Sequence, residues 1–467
     1  EWVEDAPASD SNRIALGYPV PTPVDTPLPF DGFRSYSGLH TRHQDLANTS
    51  EWSHAFEIGQ TRMGRSIWAY QLGDEDHMTA YGVPEQAMLT NGGIHAREWQ
   101  SHEVATGIIE LLTLEEDDRH LLSYLRDNAN ILVIPVLNVD GFLQTQRFPS
   151  QNWMGTDPTY PEDYPRDGRM RRKNMLGADE DLFTGSDHLF GVDLNRNNAP
   201  FWNTNPDYSS GQADSIVHHG AAAASEPEIQ ALKAAAHLGP AEKLTMFTDL
   251  HSFSQDQRWN RTNNAGLTNL TRSLLSTFAN HHYQFDAGKY YWFDDTPGLS
   301  NSGIGTTDEY FTLTYQIPSW TLEIEPTGGN HPDLPGAGAD YGGLGRNGHD
   351  GFILPESEVE RVRTELAQTF AVAYYRQSGP PAIVAARFID VASGAVVIEA
   401  EWDVSGDYSR ELYSYQAQPL QLDREYTFWL AFDKPMRWRE DGMVTALPGQ
   451  PQWTLDLEAD MQVEEVS

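Results

Sequence analysis

The sequence predicts an α/β fold, in which a mostly parallel, mixed and twisted sheet is flanked by helices and followed by a small C-terminal antiparallel β-sandwich. Three observations predict it. Strand-like runs at 87–90, 131–136, 247–250 and 320–325 alternate with helical patterns, which buries a sheet on both faces. After Pro380-Pro381 the pattern changes to short alternating runs at 383–389, 396–402 and 426–432. The length, 467 residues, is also more than one core usually serves. The expected organisation is a Pro-rich arm over 1–31, a large α/β domain over 32–378 and the β-sandwich over 379–467.

Pro19, Pro21, Pro23, Pro27 and Pro29 mark the first segment as an extended surface arm. A helical pattern from Tyr36 leads to two strands, 56–61 and 64–70, joined by a tight Gly-containing turn. Strand 87–90, the turn Gly92-Gly93-Ile94-His95-Ala96-Arg97-Glu98-Trp99 and a helix over 103–112 form one β-turn-α unit. A second helical piece near Leu121 and strand 131–136 follow, and Asn138-Val139-Asp140-Gly141-Phe142 is expected to end that strand in a turn. Residues 151–187, rich in Pro, Gly and Asp, read as loop with a basic knot at Arg169-Met170-Arg171-Arg172-Lys173. Next come Gly191-Val192-Asp193-Leu194-Asn195-Arg196-Asn197, a helix over 226–238, a strand delivering His251, and strand 320–325. A long helix over 355–376 closes the domain, with Val359, Val362, Leu366, Phe370 and Ala373 at helical spacing.

Composition narrows the function. Lys+Arg 31 against Asp+Glu 68 gives a net charge of -37, which argues against nucleic acid and anionic membrane surfaces as partners. Lysine is scarce, with Lys173, Lys233, Lys243, Lys289 and Lys434 only. A salt-adapted surface and an ordinary acidic protein both fit that balance. The absence of cysteine excludes disulfides and thiol nucleophiles. No apolar run approaches ~20 residues, so no membrane span is expected. A polar, Pro-rich lead starting at Glu1 fits a processed, exported chain.

The chemistry centres on two strand ends. His95 and Glu98, separated by two residues in a turn after a strand, can offer one imidazole nitrogen and one carboxylate to the same cation. Alone, His-x-x-Glu also suits a solvated surface turn. Phe247-Thr248-Asp249-Leu250-His251 adds a second apolar strand that ends in histidine, which supplies a third ligand. Two His and one Glu on zinc leave a position for water, the mark of a catalytic site.

Ile94-His95-Ala96-Arg97-Glu98-Trp99 and Leu250-His251-Ser252-Phe253-Ser254-Gln255 together resemble the zinc carboxypeptidase family, over about Phe30 to Gln377. The resemblance implies one Zn2+ on His95, Glu98 and His251, and hydrolysis of the C-terminal peptide bond of peptides with a free carboxylate. It makes Glu323, in Ser319-Trp320-Thr321-Leu322-Glu323, the general base and acid, with Glu325 its rival on the same strand face. It makes Arg172 the holder of the oxyanion, and Asn195 with Arg196 the grip on the terminal carboxylate, for which a planar guanidinium is well shaped. Asp193 matches the carboxylate that orients the first zinc histidine. Arg97 adds a further substrate contact.

Two departures from the family pattern stand out. The tyrosine that closes over the bound C-terminus falls near Asn301, where there is none; Tyr290, Tyr291, Tyr310 and Tyr341 are candidates to replace it. A Gly-rich insertion over 330–350 follows the catalytic strand and is placed to form part of the cleft rim. An ungapped count from Glu323 puts Asp308 at the floor of the side-chain pocket, where an acid selects Lys or Arg. A one-residue gap puts Thr307 there and favours neutral side chains. His218-His219 and His281-His282 read as solvated or structural. Two rival functions remain: an amidase trimming peptidoglycan stem peptides or another modified amide, and a carboxypeptidase-like binding protein without turnover.

Overall fold

The computed structural model describes residues 23–454 except 24, 31, 81, 83, 116–120, 148–168, 170, 180–189, 239–243, 286–288, 298–302, 328–350, 353, 380–382, 402–412, 418–420, 422–423, 433–435, 439–442 and 447–451. Most of the Pro-rich arm, the loop before Arg169, the position near Asn301 and the insertion 330–350 therefore lie outside the described residues.

Helix α1 (Tyr36–Thr49) is capped by Ser35, whose Oγ accepts from Gly38 N at 3.1 Å and so satisfies an otherwise unpaired first-turn amide. Strands β1 (Ser53–Gln60) and β2 (Ser66–Leu72) form the expected antiparallel hairpin. Strand β3 (Gln86–Asn91) leads through the His95 turn into α2 (Trp99–Leu114), followed by α3 (Leu121–Asn128) and β4 (Ala129–Ile134). All residues of β3 and β4 are buried, as strands covered on both faces require. The expected turn at 138–142 is corrected: helix α4 (Val139–Arg147) starts there. Asn138 Oδ1 accepts from Gly141 N at 3.1 Å, and this side-chain bond starts the helix in a stretch that otherwise reads as turn residues.

Helix α5 (Pro227–Ala235), β5 (Leu244–Ser252), β6 (Asp256–Trp259), α6 (Ala265–Phe285), β7 (Trp292–Phe293), α7 (Thr307–Thr314), β8 (Ser319–Ile324) and α8 (Glu356–Ser378) complete this part. The eight strands make one sheet in the order β1-β2-β4-β3-β5-β8-β6-β7. Its centre, β4-β3-β5-β8, is parallel, and β1, β2 and the β6–β8 pair are antiparallel. The expected mixed sheet is present, and the C-terminal ends of β3, β5 and β8 carry the predicted site. α8 packs against α2, α3 and α6, with Val359, Val362, Leu366, Phe370 and Ala373 all buried. Burying each large apolar side chain contributes about 1.5–3 kcal/mol. Gly107 permits the closest approach: a Cβ there would meet Arg363 Cγ at 2.6 Å.

Beyond α8, β9 (Ile383–Asp390), β10 (Val396–Glu401), β11 (Tyr413–Ala417) and β12 (Tyr426–Phe432) form an antiparallel sheet ordered β11-β10-β9-β12. Strands β13 (Met436–Trp438), β14 (Met443–Ala446) and β15 (Gln452–Thr454) form a second one. Three of these seven strands were readable from alternation, whereas β11 and β13 to β15 are short.

Candidate active site

Backbone geometry places His95 and Glu98. After β3 the chain turns at Gly93, whose φ is +69° and where a Cβ would lie 2.2 Å from the His102 ring. No other residue fits there. The turn is tied to the end of β4 by Gly92 N to Ile134 O (2.7 Å) and Leu137 N to Gly92 O (3.0 Å). Ser101 closes it, accepting from Gly93 N at 3.0 Å and donating to Glu98 O at 2.6 Å. Trp99 anchors the following helix among Phe30, Phe33 and Phe142, with its indole N–H on Thr145 Oγ1 at 2.9 Å. His251 stands near the end of β5, in register with Glu323 on β8.

The three predicted ligands converge and are buried. His95 Nδ1 is 2.8 Å from Glu98 Oε1, His251 Nδ1 is 3.0 Å from Glu98 Oε2, and the two Nδ1 atoms are 3.0 Å apart. Each ring turns its other nitrogen to a carboxylate: His95 Nε2 is 3.0 Å from Asp193 Oδ1 and His251 Nε2 3.2 Å from Asp249 Oδ2. A carboxylate beside Nε2 keeps the proton there and leaves the Nδ1 lone pair for a metal. Two lone pairs facing each other beside a carboxylate need a shared cation, so this donor set fits zinc. Among the described residues it is the cluster of His, Asp and Glu close enough to hold an ion.

Charge is balanced tightly around it. Burial pushes the Glu98 carboxyl up, but His95 and His251 outweigh that and hold it well below the usual range. Burial also acts on Asp193, and Arg172 and Arg196 reverse it. Arg172 donates from Nε and Nη2 to Asp193 Oδ2 at 3.1 and 3.0 Å, and its Nη1 lies 3.7 Å from Glu98 Oε1. Asp193 Oδ1 also accepts from Asn195 N at 3.0 Å.

Of these groups His95, His251 and Arg172 line one cleft of about 810 Å³, which also receives Arg97, Asn195, Arg196, Asp308 and Glu323. Arg196 is aimed by Nε on Tyr208 O and Nη1 on Asn195 O, both at 2.8 Å. Asn195 Oδ1 accepts from Thr307 N at 2.9 Å. The Arg97 guanidinium lies 4.3 Å from the centre of the Phe352 ring. Asp308, at the start of α7, accepts from Asn260 Nδ2 at 2.6 Å. Burial and the neighbouring Glu309 push its carboxyl up to about 7. Burial likewise raises Glu323, against the pull of Arg258 and His251. Glu325, its rival, does not reach the cleft: it is fully buried and paired with Lys289 and with Arg361 Nη2 (2.8 Å).

In the basic knot the chain alternates between two roles. Arg169 covers the Trp99 ring at 3.8 Å and donates to Arg97 O and Phe352 O. Arg171 donates to Asn174 O, and Lys173 to Ala213 O and Ser215 O. These three are buried and hold loop carbonyls, while Arg172 turns to the cleft.

The candidate tyrosines are elsewhere. Tyr291 is fully buried with its OH accepting from Glu325 N, Tyr310 lies over Lys233, and neither they nor Tyr290 line the cleft. Tyr341 and the Asn301 position lie outside the described residues. Among the described residues the cleft tyrosine is Tyr208, 61% exposed, which no sequence signal marked. Asp249, Asp256 and Arg258 were also missed. Asp249 was legible, two residues before His251 on the same strand face. Asp256 and Arg258 sit on β6, whose run Asp-Gln-Arg-Trp has no apolar alternation. His219 Nδ1 is 2.9 Å from Gly220 O, and His282 is fully buried against Tyr291.

Human carboxypeptidase B is 25% identical over 325 residues, covering 68% of this chain and 63% of that protein. Human mast cell carboxypeptidase A is 27% identical over 201 residues, 43% of this chain and 40% of that one. The chain thus spans about two fifths of the length of the mast cell enzyme. Among solved structures, carboxypeptidase A from Helicoverpa armigera covers 77% of each chain at 21% identity with a TM-score of 0.53, a likeness of fold. The family model for zinc carboxypeptidases (Peptidase_M14) matches residues 41–369, most of the chain and every predicted site residue. The chain belongs to the zinc carboxypeptidase family.

Proposed function

We propose that this chain is a zinc metallocarboxypeptidase that hydrolyses the C-terminal peptide bond of peptides with a free carboxylate. The observation that carries the reading is the opening of one cleft onto His95, Arg172, Asn195, Arg196, His251 and Glu323 together. A pure binding protein has no chemical need for a buried two-His, one-Glu cluster beside an independent carboxylate and four arginines. His95, Glu98 and His251 would hold the zinc. Bound there, it supplies an acidified water and polarises a carbonyl.

The chain's own residues do the rest. Arg196, with Asn195 and Arg97, binds the terminal carboxylate and so sets which peptide bond reaches the centre. Arg172, held by Asp193, keeps its remaining N–H for the carbonyl oxygen as negative charge develops on it. Glu323 takes the water's proton and returns it to the leaving amine; its raised carboxyl suits a group that must hold a proton between two steps. Asp193 and Asp249 orient the two imidazoles. An exported location belongs to the same reading, and fractionating the source cells tests it. Among the described residues no helix is long and apolar enough to cross a membrane. The reaction is tested by the release of single residues from free-acid peptides and not from their amides.

A further inference from the structure

Arg258 is a charge beside the predicted base that the family resemblance does not account for. It sits on β6, which pairs antiparallel with β8, placing Asp256 opposite Glu323 and Arg258 opposite Thr321. Asp256 and Glu323 are both buried, and like charges directly opposite on neighbouring strands repel. The Arg258 guanidinium bridges them. Its Nε is 3.1 Å from Asp256 Oδ1, its Nη2 is 3.4 Å from Asp256 Oδ2, and its Nη1 is 3.1 Å from Glu323 Oε1. Nη2 also donates to Ser254 Oγ at 2.8 Å.

We propose that Arg258 is the positioning residue for Glu323, fixed by its own strand and aiming the base's carboxylate across the cleft. This rests on the reading of Glu323 as general base. Ser254 and Asp256 grip the guanidinium from two sides, so its plane is set before Glu323 meets it. A planar fork with one edge committed leaves Nη1 as a directed donor. That donor occupies Oε1 and leaves the other carboxylate oxygen for the water's proton. The same contact offsets the repulsion that would otherwise swing Glu323 away from Asp256. Arg172 does not duplicate this role, because its fork is spent on Asp193.

The test compares Arg258→Gln and Arg258→Lys with the wild type, all loaded with zinc. The substrates are free-acid peptides ending in Glu, Arg or Phe. Arg258→Gln is expected to lower kcat about 10- to 100-fold on all three with KM within about 3-fold, and Arg258→Lys to recover part of kcat. Thermal unfolding supplies a readout independent of turnover: in a cycle with Glu323→Gln, the two substitutions are expected to shift Tm non-additively. Unchanged kcat in Arg258→Gln, or an additive cycle, overturns the proposal. A rise in KM confined to one C-terminal side chain also overturns it, by showing that Arg258 reads the substrate. If Arg258→Gln fails to fold, Arg258→Lys decides by the same split of kcat from KM. A wild type without turnover on any peptide overturns the carboxypeptidase reading and this proposal with it, whereas active wild type with an indifferent Arg258 overturns this proposal alone.

Discussion

Replacing Asp193 with Asn separates two jobs that one buried carboxylate performs. Oδ1 holds His95 Nε2 and Asn195 N, each at 3.0 Å, and Oδ2 holds the Arg172 fork at 3.0 and 3.1 Å. In Asp193→Asn the amide oxygen best replaces Oδ1, because two donors converge there. The amide N–H2 then faces Nε–H and Nη2–H of Arg172, donors against donors. Two charge-assisted bonds are lost, each worth about 1.5–3 kcal/mol, and a guanidinium is left in a buried site, so the expected loss of stability is about 3–5 kcal/mol. Weaker orientation of His95 should cost roughly 10- to 100-fold in zinc affinity, about 1.4–2.7 kcal/mol. Asp249→Asn is the control: Asp249 orients His251 and accepts from Asn91 Nδ2 at 2.7 Å, but carries no arginine among its described partners. Both variants should therefore lose zinc affinity alike in a chelator competition. At saturating zinc only Asp193→Asn should remain about 100-fold down in kcat/KM. Zinc affinity within about 2-fold of wild type in Asp193→Asn would refute the orienting role. Equal residual turnover in the two variants would refute the placement of Arg172.

Two further predictions concern pH. Glu85 is 1% exposed, with neither carboxylate oxygen hydrogen-bonded among the described residues; burial, then Asp74, Asp76 and Asp127, push its carboxyl up to about 8. A folded pKa above the ordinary 4.5 means that this contribution is full below 4.5 and is lost as pH rises through about 8. Glu85→Gln should therefore gain in Tm relative to wild type between pH 5 and 8.5, and a constant difference across that range would contradict the assignment. Asp308 raised to about 7 by burial and Glu309 is neutral below that pH and charged above it. If it floors the side-chain pocket, preference for C-terminal Arg over Phe should grow as pH rises through 7 and vanish in Asp308→Ala, measured as the ratio of kcat/KM values.

Much of this was readable from the chain because the informative residues are local. The Gly92-Gly93 turn, the apolar runs of β3, β5 and β8, and the ligands at their ends appear within windows of a few residues. What the sequence hid was set by pairing. Strand β6 carries Asp256 and Arg258 into the cleft only because β8 lies beside it, and no periodicity marks a four-residue charged strand. Asn138 starting α4 is a side-chain bond that a run of turn-forming residues disguises. Arg169, Arg171 and Lys173 look like a solvated patch in sequence, yet each is buried on backbone carbonyls, those of Arg169 and Lys173 supplied by distant segments. Tyr208 reaches the cleft through a loop whose course no local rule predicts.

The central claim is zinc-dependent removal of a C-terminal residue. It is tested most directly by hydrolysis of paired peptides, identical but for a free or amidated C-terminus, with and without a chelator and zinc re-addition. The account predicts release of the last residue from free-acid peptides alone, abolished by the chelator and restored by zinc. Cleavage of amidated and free peptides alike, or turnover that persists in zinc-free protein, would contradict it.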